Sequence, residues 1–300
     1  MVGVILAGGN GTRLYPKTKA VSKQLLPIYS VPLLYFPFCF LLGSGVREFV
    51  VITNPENVES FKNLLGTGEN LGIEITVLAQ PNPNGIAEAY LIAQDHIDGK
   101  DSILILGDNI FYGCDIYKDI YRFKTRGEAV CSGATESYDC AIYGYKVKDP
   151  KRYGVIEFND EQEVLSIEEK PEIPKSNYAA VGLYMCDGTA VDRVKKIKPS
   201  ARGELEITDL MKSYLYEQKL STNLLKREVV WLDAGTKTSY VEAINFVEAI
   251  EERTGKMIAC PEEVAHRRKF ISKRKLLDNI GKLPNCSYRD YLQDYYNEIK

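Results

Sequence analysis

Gly8-Gly9-Asn10-Gly11 places glycine at three of four positions, and Thr12 and Arg13 follow at once. Lys23 and Gln24 lie a short way downstream. Residues of these types suit a polyphosphate. Glycine lets the backbone turn sharply, so oriented N–H groups can cradle an anion. Arg13 and Lys23 add fixed positive charge. Two carboxylates offer a second chemistry. Asp108 follows the apolar run 103–106 and Gly107, and Asp233 follows the run 229–232 with Gly235 close by. Such a pair can hold one Mg²⁺ whose other ligands are phosphate oxygens and water. Asp108 alone could also merely cap the next turn. Glu168-Glu169-Lys170-Pro171 alone reads as a solvated strand edge, with Lys170 biased to an extended backbone by the proline after it.

These groups need elements to position them. The apolar, partly β-branched segment 2–6 reads as a buried strand that feeds the glycine turn. Helix is expected over 32–42, strand over 48–52, helix over 56–65, strand over 73–77, helix over 86–96 and strand over 102–106. This alternation predicts an α/β fold: a Rossmann-like, doubly wound, mostly parallel sheet with ligands at the carboxyl ends of its strands. From about 128 the pattern shifts to strand-like runs at 141–147, 154–158, 164–169 and 179–185, an added β region in a mixed sheet. From 240 the chain is helical. Residues 240, 241, 244, 247 and 250 form an apolar face that stops at Gly255, and Pro261-Glu262-Glu263 suits a helix start. Ser287 can cap a last helix with Tyr288, Tyr291, Leu292, Tyr295 and Ile299 on one packing face.

Other chemistries are excluded. No Gly-Lys-Ser/Thr occurs, so the loop is not a Walker A loop. Leu14 stands where a dinucleotide fingerprint needs its third glycine. Hydrophobic residues at 45% and charged residues at 26% are ordinary for a globular chain. A net charge of -3 gives no basis for nucleic-acid binding, and the basic stretch 267–275 reads as a solvated helix face. No apolar run approaches the ~18 residues of a membrane span. The amino terminus reads as entering a strand directly, so no signal peptide is expected. Cys39, Cys114, Cys131, Cys140, Cys186, Cys260 and Cys286 form no Cys-x-x-Cys and read as reduced thiols of a cytoplasmic protein. His96 and His266 are the only histidines and read as surface helix residues, which excludes a histidine-rich metal site.

The string Leu6-Ala7-Gly8-Gly9-Asn10-Gly11-Thr12-Arg13-Leu14-Tyr15-Pro16, with Lys23-Gln24-Leu25-Leu26-Pro27 after it, resembles the signature of the sugar nucleotidyltransferases. The resemblance runs from Val4 to about Phe270. It implies Mg²⁺-dependent transfer of a nucleotidyl group from dTTP to α-D-glucose 1-phosphate. The products would be pyrophosphate and dTDP-glucose, which feeds deoxysugars such as rhamnose. UTP or dual use stays open, because one methyl is worth only ~1–3 kcal/mol in a pocket. A silent nucleotide-binding regulatory subunit is disfavoured, since Arg13, Lys23, Asp108, Lys170 and Asp233 are all present.

The resemblance assigns catalysis to those five residues, with Asp108 and Asp233 as metal ligands. It assigns nucleotide contacts to Leu6, Gly8, Gly9, Gly11, Thr12, Arg13, Gln24, Gln80, Pro81, Gly85 and Asp108. Sugar-phosphate contacts fall on Tyr153, Gly154, Glu169, Lys170, Val181, Arg202 and Trp231. It implies a core over 1–239, with a nucleotide half at about 1–127 and a sugar-phosphate half at about 128–239, then a helical region over 240–300. It further implies a homotetramer with a regulatory nucleotide-sugar site at Tyr112, Gly113, Arg227, Glu263 and Arg267. Cys114 stands there in place of histidine, Ala234 replaces a common threonine, and segment 128–140 is several residues long for the family. The attacking phosphate oxygen has a second pKa of about 6, by analogy with phosphorylated side chains, so no general base is needed.

Overall fold

A computed structural model describes residues 1–113, 116–131, 138–159 and 163–299, with backbone alone over 126–131. Cys114 and residues 132–137 of the long segment lie outside the described residues. The first half carries strands β1 (Val2–Leu6), β2 (Pro27–Ile28), β3 (Val31–Pro32), β4 (Glu48–Thr53), β5 (Glu74–Ala79), β6 (Ser102–Leu106) and β7 (Asn109–Tyr112). Helices α1 (Tyr35–Gly43), α2 (Val58–Leu65), α3 (Glu88–Ile92) and α4 (Gln94–Ile97) lie between them, and α5 (Ile116–Cys131) follows. The second half carries β8 (Cys140–Lys146), β9 (Gly154–Phe158), β10 (Val164–Glu169), β11 (Tyr178–Cys186), β12 (Leu220–Leu224) and β13 (Val230–Asp233). Helices α6 (Ala190–Val194) and α7 (Ile207–Leu215) sit among these strands. The chain closes on α8 (Lys237–Thr254), α9 (Pro261–Arg267), α10 (Lys273–Lys282) and α11 (Ser287–Glu298).

The main sheet runs β10-β9-β11-β6-β1-β4-β5, and β8 and β12 extend it from β11. β6, β1, β4 and β5 are mutually parallel. β11 pairs antiparallel with β6, β8 and β9. Alternate side chains along each parallel strand feed opposite faces. Val2, Val4, Val50, Ile52 and Leu104 join one buried cluster with α3, α6 and α7. Ile5, Val51, Ile103 and Ile105 join the other with α1. Val247, Leu276 and Leu292 of the carboxy-terminal helices belong to that second cluster. Gly3 permits the close approach of α1, since a Cβ there would lie 2.9 Å from Val46 Cγ1 and 3.0 Å from Leu41 Cδ1.

Several elements depart from their sequence signals for local reasons. The expected helix 32–42 starts at Tyr35, because the β2–β3 hairpin holds Leu33 N and Leu34 N on Leu26 O and Gln24 O. The expected helix 86–96 splits into α3 and α4. Its start is delayed because Ala87 N donates to Leu205 O at 3.1 Å, while Leu205 N donates to Asn84 O at 2.6 Å. The inward face of α8 is Tyr240, Ala243, Val247 and Glu251, whereas Val241 is exposed. Glu251 is tolerated there because it accepts from Ser30 Oγ at 2.6 Å and from Ile258 N at 2.8 Å. Gly255 ends α8 at φ 63°, as its sequence position suggests.

Ser287 is the first residue of α11 rather than its cap, and Cys286 holds the cap position without a side-chain bond. The tyrosine stripe packs as expected, with polar tips on α9. Tyr288 donates to Glu262 at 2.5 Å, Tyr291 donates to Glu263, and Tyr295 meets His266 Nδ1 at 2.9 Å. His266 is therefore half-buried and partnered, not a free surface residue. Cys39, Cys140, Cys186 and Cys260 are buried free thiols, and Cys286 is exposed. Among the described residues no helix is long and apolar enough to cross a membrane.

Candidate active site

The order β5-β4-β1-β6 reverses direction between β1 and β6. A crevice at the carboxyl ends of strands is expected at such a switch point. The glycine loop leaves β1 there and Asp108 leaves β6 there. Gly107 N donates to Leu6 O at 2.9 Å and ties the two strand ends together. Gly9 and Gly11 take φ 96° and 56°, a region that side chains disfavour. Gly9 N donates to Asn54 Oδ1 at 2.9 Å, and Thr18 Oγ1 donates to Gly11 O at 2.8 Å. Thr12, Arg13 and Pro81 are exposed, while Gln24 is buried and accepts from Ser22 Oγ at 2.7 Å. Gly85 has φ 113°, and a Cβ there would lie 2.3 Å from Leu205 O, so only glycine fits beneath that strand of backbone.

Antiparallel pairing of β7 with β13 sets Asp233 opposite Asn109, and Ala234 N donates to Asp108 O at 3.0 Å. This pairing brings together two aspartates far apart in sequence. The space over Gly235 marks their convergence. A Cβ placed there would lie 2.8 Å from Asp233 Oδ1, 3.4 Å from Asp108 Oδ2 and 3.4 Å from Arg13 Nη2. Lys23 Nζ reaches Asp108 Oδ2 at 2.5 Å.

The two carboxyls differ in their electrostatics. Burial acts to raise the Asp108 carboxyl, but the Lys23 charge, with hydrogen bonds from Lys23 and Asn109, outweighs it and holds the group below its ordinary value. Burial, and then the charge of Asp108, push the Asp233 carboxyl up. Asp233 is thus the less well compensated carboxyl of the pair. A hard divalent cation such as Mg²⁺ suits it, with phosphate oxygens and water to complete the shell. Among the described residues no group of three or more His, Cys, Asp or Glu forms a closed metal cage.

On the other side of the crevice, Gly154 pairs with Glu169 across β9 and β10. A Cβ on Gly154 would lie 3.4 Å from Glu169 Oε2, so its absence leaves room above that carboxyl. Burial raises the Glu169 carboxyl, against the nearby Lys170 charge. Lys170 Nζ lies 3.3 Å and Arg202 Nη1 3.6 Å from Glu169 Oε1. Arg202 also meets Glu204 at 2.5 Å and Glu206 at 3.7 Å. Lys170 is not extended as its proline neighbour suggests. It has φ 42°, and its N–H donates to Tyr153 O at 3.0 Å, which fixes the turn. Trp231 is buried with Tyr145 and Tyr153 edge-on to its ring. Val181 is buried, so only its backbone can face a ligand.

The expected regulatory residues are less clearly gathered. Arg267 Nη1 lies 3.4 Å from Glu263 Oε1, and Tyr112 packs edge-on to Phe246. Arg227 is exposed, and Gly113 takes φ 71°. A cavity of about 310 Å³ lies between α1, Phe111, Tyr117, Val264 and Arg267.

Sequence reasoning missed several residues. Buried Asn109 donates to Asp108 Oδ1 at 3.0 Å and accepts from Trp231 Nε1 at 2.7 Å and Gly182 N at 3.2 Å. Its signal was a polar residue inside an apolar strand directly after Asp108. Arg152 Nη2 lies 3.8 Å from Asp233 Oδ2 and carried no signal among other surface cations. Glu206 and Thr208 are buried at the start of α7, and a Cβ on Gly154 would meet Thr208 Cγ2 at 2.9 Å.

A nucleotidyl transferase family model matches residues 2–250. A glucose-1-phosphate thymidylyltransferase from Neisseria gonorrhoeae is 44% identical over 292 residues, covering 97% of this chain and 98% of that protein. The enzyme of the same name from Xanthomonas campestris pv. campestris is 46% identical over 290 residues, covering 97% and 95%. A solved structure described as a glucose-1-phosphate thymidylyltransferase from Bacillus anthracis, in complex with a sucrose, has a TM-score of 0.73 at 35% identity and covers 82% of this chain and 95% of that one. A UDP-glucose pyrophosphorylase with UDP-glucose shares the fold, with a TM-score of 0.68 at 22% identity over 84% of this chain and 98% of that one.

Proposed function

Because this chain belongs to the nucleotidyl transferase family, we propose that it transfers a thymidylyl group from dTTP to the phosphate of α-D-glucose 1-phosphate. Convergence of Asp108, Asp233 and Arg13 over Gly235 carries this reading. A phosphate oxygen of the sugar phosphate forms a bond to the α-phosphorus. The bond from that phosphorus to the bridging oxygen breaks, and pyrophosphate leaves with the electron pair. No proton needs to be removed from the nucleophile, so the barrier lies in bringing polyanions together and in the charge on the leaving group.

This chain's residues meet both needs. The glycine loop and Arg13 bind the triphosphate and take the charge that grows on pyrophosphate. Lys23 keeps Asp108 ionised, and Asp108 and Asp233 would hold Mg²⁺. When bound there, Mg²⁺ supplies charge neutralisation and orientation for the triphosphate. Gln80 and the turn at Gly85 receive the base. Lys170 and Arg202 leave their carboxylate partners for the sugar phosphate, while Glu169 accepts from sugar hydroxyls above Gly154. Tyr153, Val181 and Trp231 wall that side.

Pyrophosphate release across a matrix of nucleoside triphosphates and sugar 1-phosphates tests the reading. The dTTP–glucose 1-phosphate pair should be among the fastest, and no release with any pair would overturn it. UTP remains the second reading, since the pocket must separate one methyl. The cavity beside Arg267 supports a second, regulatory nucleotide-sugar site. Inhibition by a dTDP-sugar that is purely competitive with dTTP would count against it. Family resemblance supports a homotetramer, against a 33.8 kDa monomer by light scattering.

A further inference from the structure

Gln80 is buried at the edge of the glycine loop, and its amide is held in one orientation. Nε2 donates to Glu88 Oε2 at 2.7 Å and faces Gly85 O at 3.4 Å. Glu88 Oε1 accepts from Asn84 Nδ2 at 2.8 Å. A carboxylate accepts and does not donate, and so does a backbone carbonyl. Every group on that side therefore demands the nitrogen of the Gln80 amide, and the reverse orientation would set oxygen against oxygen. Oε1 must point the other way. It lies 2.9 Å from the position of a Cβ on Gly8, on the side the glycine leaves open. No donor among the described residues reaches it. Asn54 Oδ1 lies 3.3 Å from the same position, and its orientation is set by the Gly9 N–H it accepts.

We infer that Glu88 is a positioning residue for nucleobase selection: by fixing the Gln80 amide it makes the site present an acceptor, which demands a base with a ring N–H. This rests on the proposed nucleotide reading. Thymine and uracil carry an N–H at ring position 3, while cytosine carries a bare acceptor nitrogen there. An acceptor facing an acceptor leaves both unpaired and repelled, which is how a polar site rejects a near-isostere. The amide of Gln80 alone does not discriminate, since a flip would suit cytosine equally well. The discrimination lies in what fixes the flip.

Glu88→Gln tests this. The replacement is isosteric, and its amide can meet Gln80 in either orientation. The measurement is kcat/KM with dTTP and with dCTP, at saturating glucose 1-phosphate. The dTTP-over-dCTP ratio should fall at least ~10-fold, in part because dCTP use rises in absolute terms. KM for glucose 1-phosphate should not move. Loss of packing alone would lower both triphosphates together and never improve dCTP. An unchanged ratio, or a parallel loss, overturns the assignment. Equal use of dTTP and dCTP by the unaltered chain overturns it without any variant. Failure of the unaltered chain to use any triphosphate strikes instead at the functional reading.

Discussion

Asp233 bears two burdens, burial and the charge of Asp108, and both push its carboxyl above the ordinary value. Proton uptake there removes a ligand from the proposed metal site. At limiting Mg²⁺, activity should therefore fall with pH at a higher pH than an ordinary aspartate would give. In Asp108→Asn the like charge is gone, so the acid limb of the residual activity should move to lower pH. A limb that stays in place would assign it to another group. Either aspartate changed to asparagine should lower turnover at least ~10²-fold, the scale of a lost transition-state stabiliser. Mg²⁺ titration followed calorimetrically should show weaker binding alongside. Gly235→Ala makes a steric version of the same test. Its methyl would sit 2.8 Å from Asp233 Oδ1. A shift of about 1 Å in such a site costs ~10²-fold, and normal turnover in this variant would mean that the space over Gly235 is not where the reaction is held.

At the scale of elements, the β7–β13 pair is the device that joins the two aspartates, and Asn109 is its pin. Asn109→Ala strips partners from Trp231 Nε1, Gly182 N and Asp108 Oδ1. Each buried group left unpaired costs ~1–3 kcal/mol, so urea unfolding should show a loss of at least ~2 kcal/mol. The α9–α11 contact has its own pH signature. Burial, then Lys273, hold His266 below its ordinary value. A depressed base is stabilising when neutral, so this contribution is complete above about pH 6.5 and is lost as pH falls below it toward the lower native value. Protection factors over 287–298, exchange rates corrected for the intrinsic pH dependence of amide exchange, should fall from pH 7.5 to 5.5, and in His266→Asn that fall should vanish. The apolar runs of β1 and β6 were legible almost to the residue because burial on both faces leaves little choice. The late start of α3 was not legible, since it comes from Ala87 binding Leu205 more than a hundred positions away. The φ of Lys170 was likewise set by Tyr153 O and not by its proline neighbour. Asp108 and Asp233 could be singled out from local pattern, but nothing in either segment names the other as its partner. Arg152 and Glu88 act through neighbours, and no local spacing marks such residues.

Over the whole molecule, the turn at residues 84–87 and the strand of backbone at Leu205 are stitched by two hydrogen bonds and by the missing Cβ of Gly85. One piece lies on the side proposed to receive the base and the other leads from Arg202 to α7. These contacts predict that a ligand settling one piece shifts the other, and thermodynamic reciprocity then requires the effect to be mutual. Glucose 1-phosphate should tighten a non-reacting dTTP analogue by the same factor by which that analogue tightens glucose 1-phosphate. Gly85→Ala would place its methyl 2.3 Å from Leu205 O and force the pieces apart. In that variant each substrate should bind as though the other were absent, with the factor close to one in paired calorimetric titrations. The glycine would then be the joint through which each half of the crevice learns whether the other is filled.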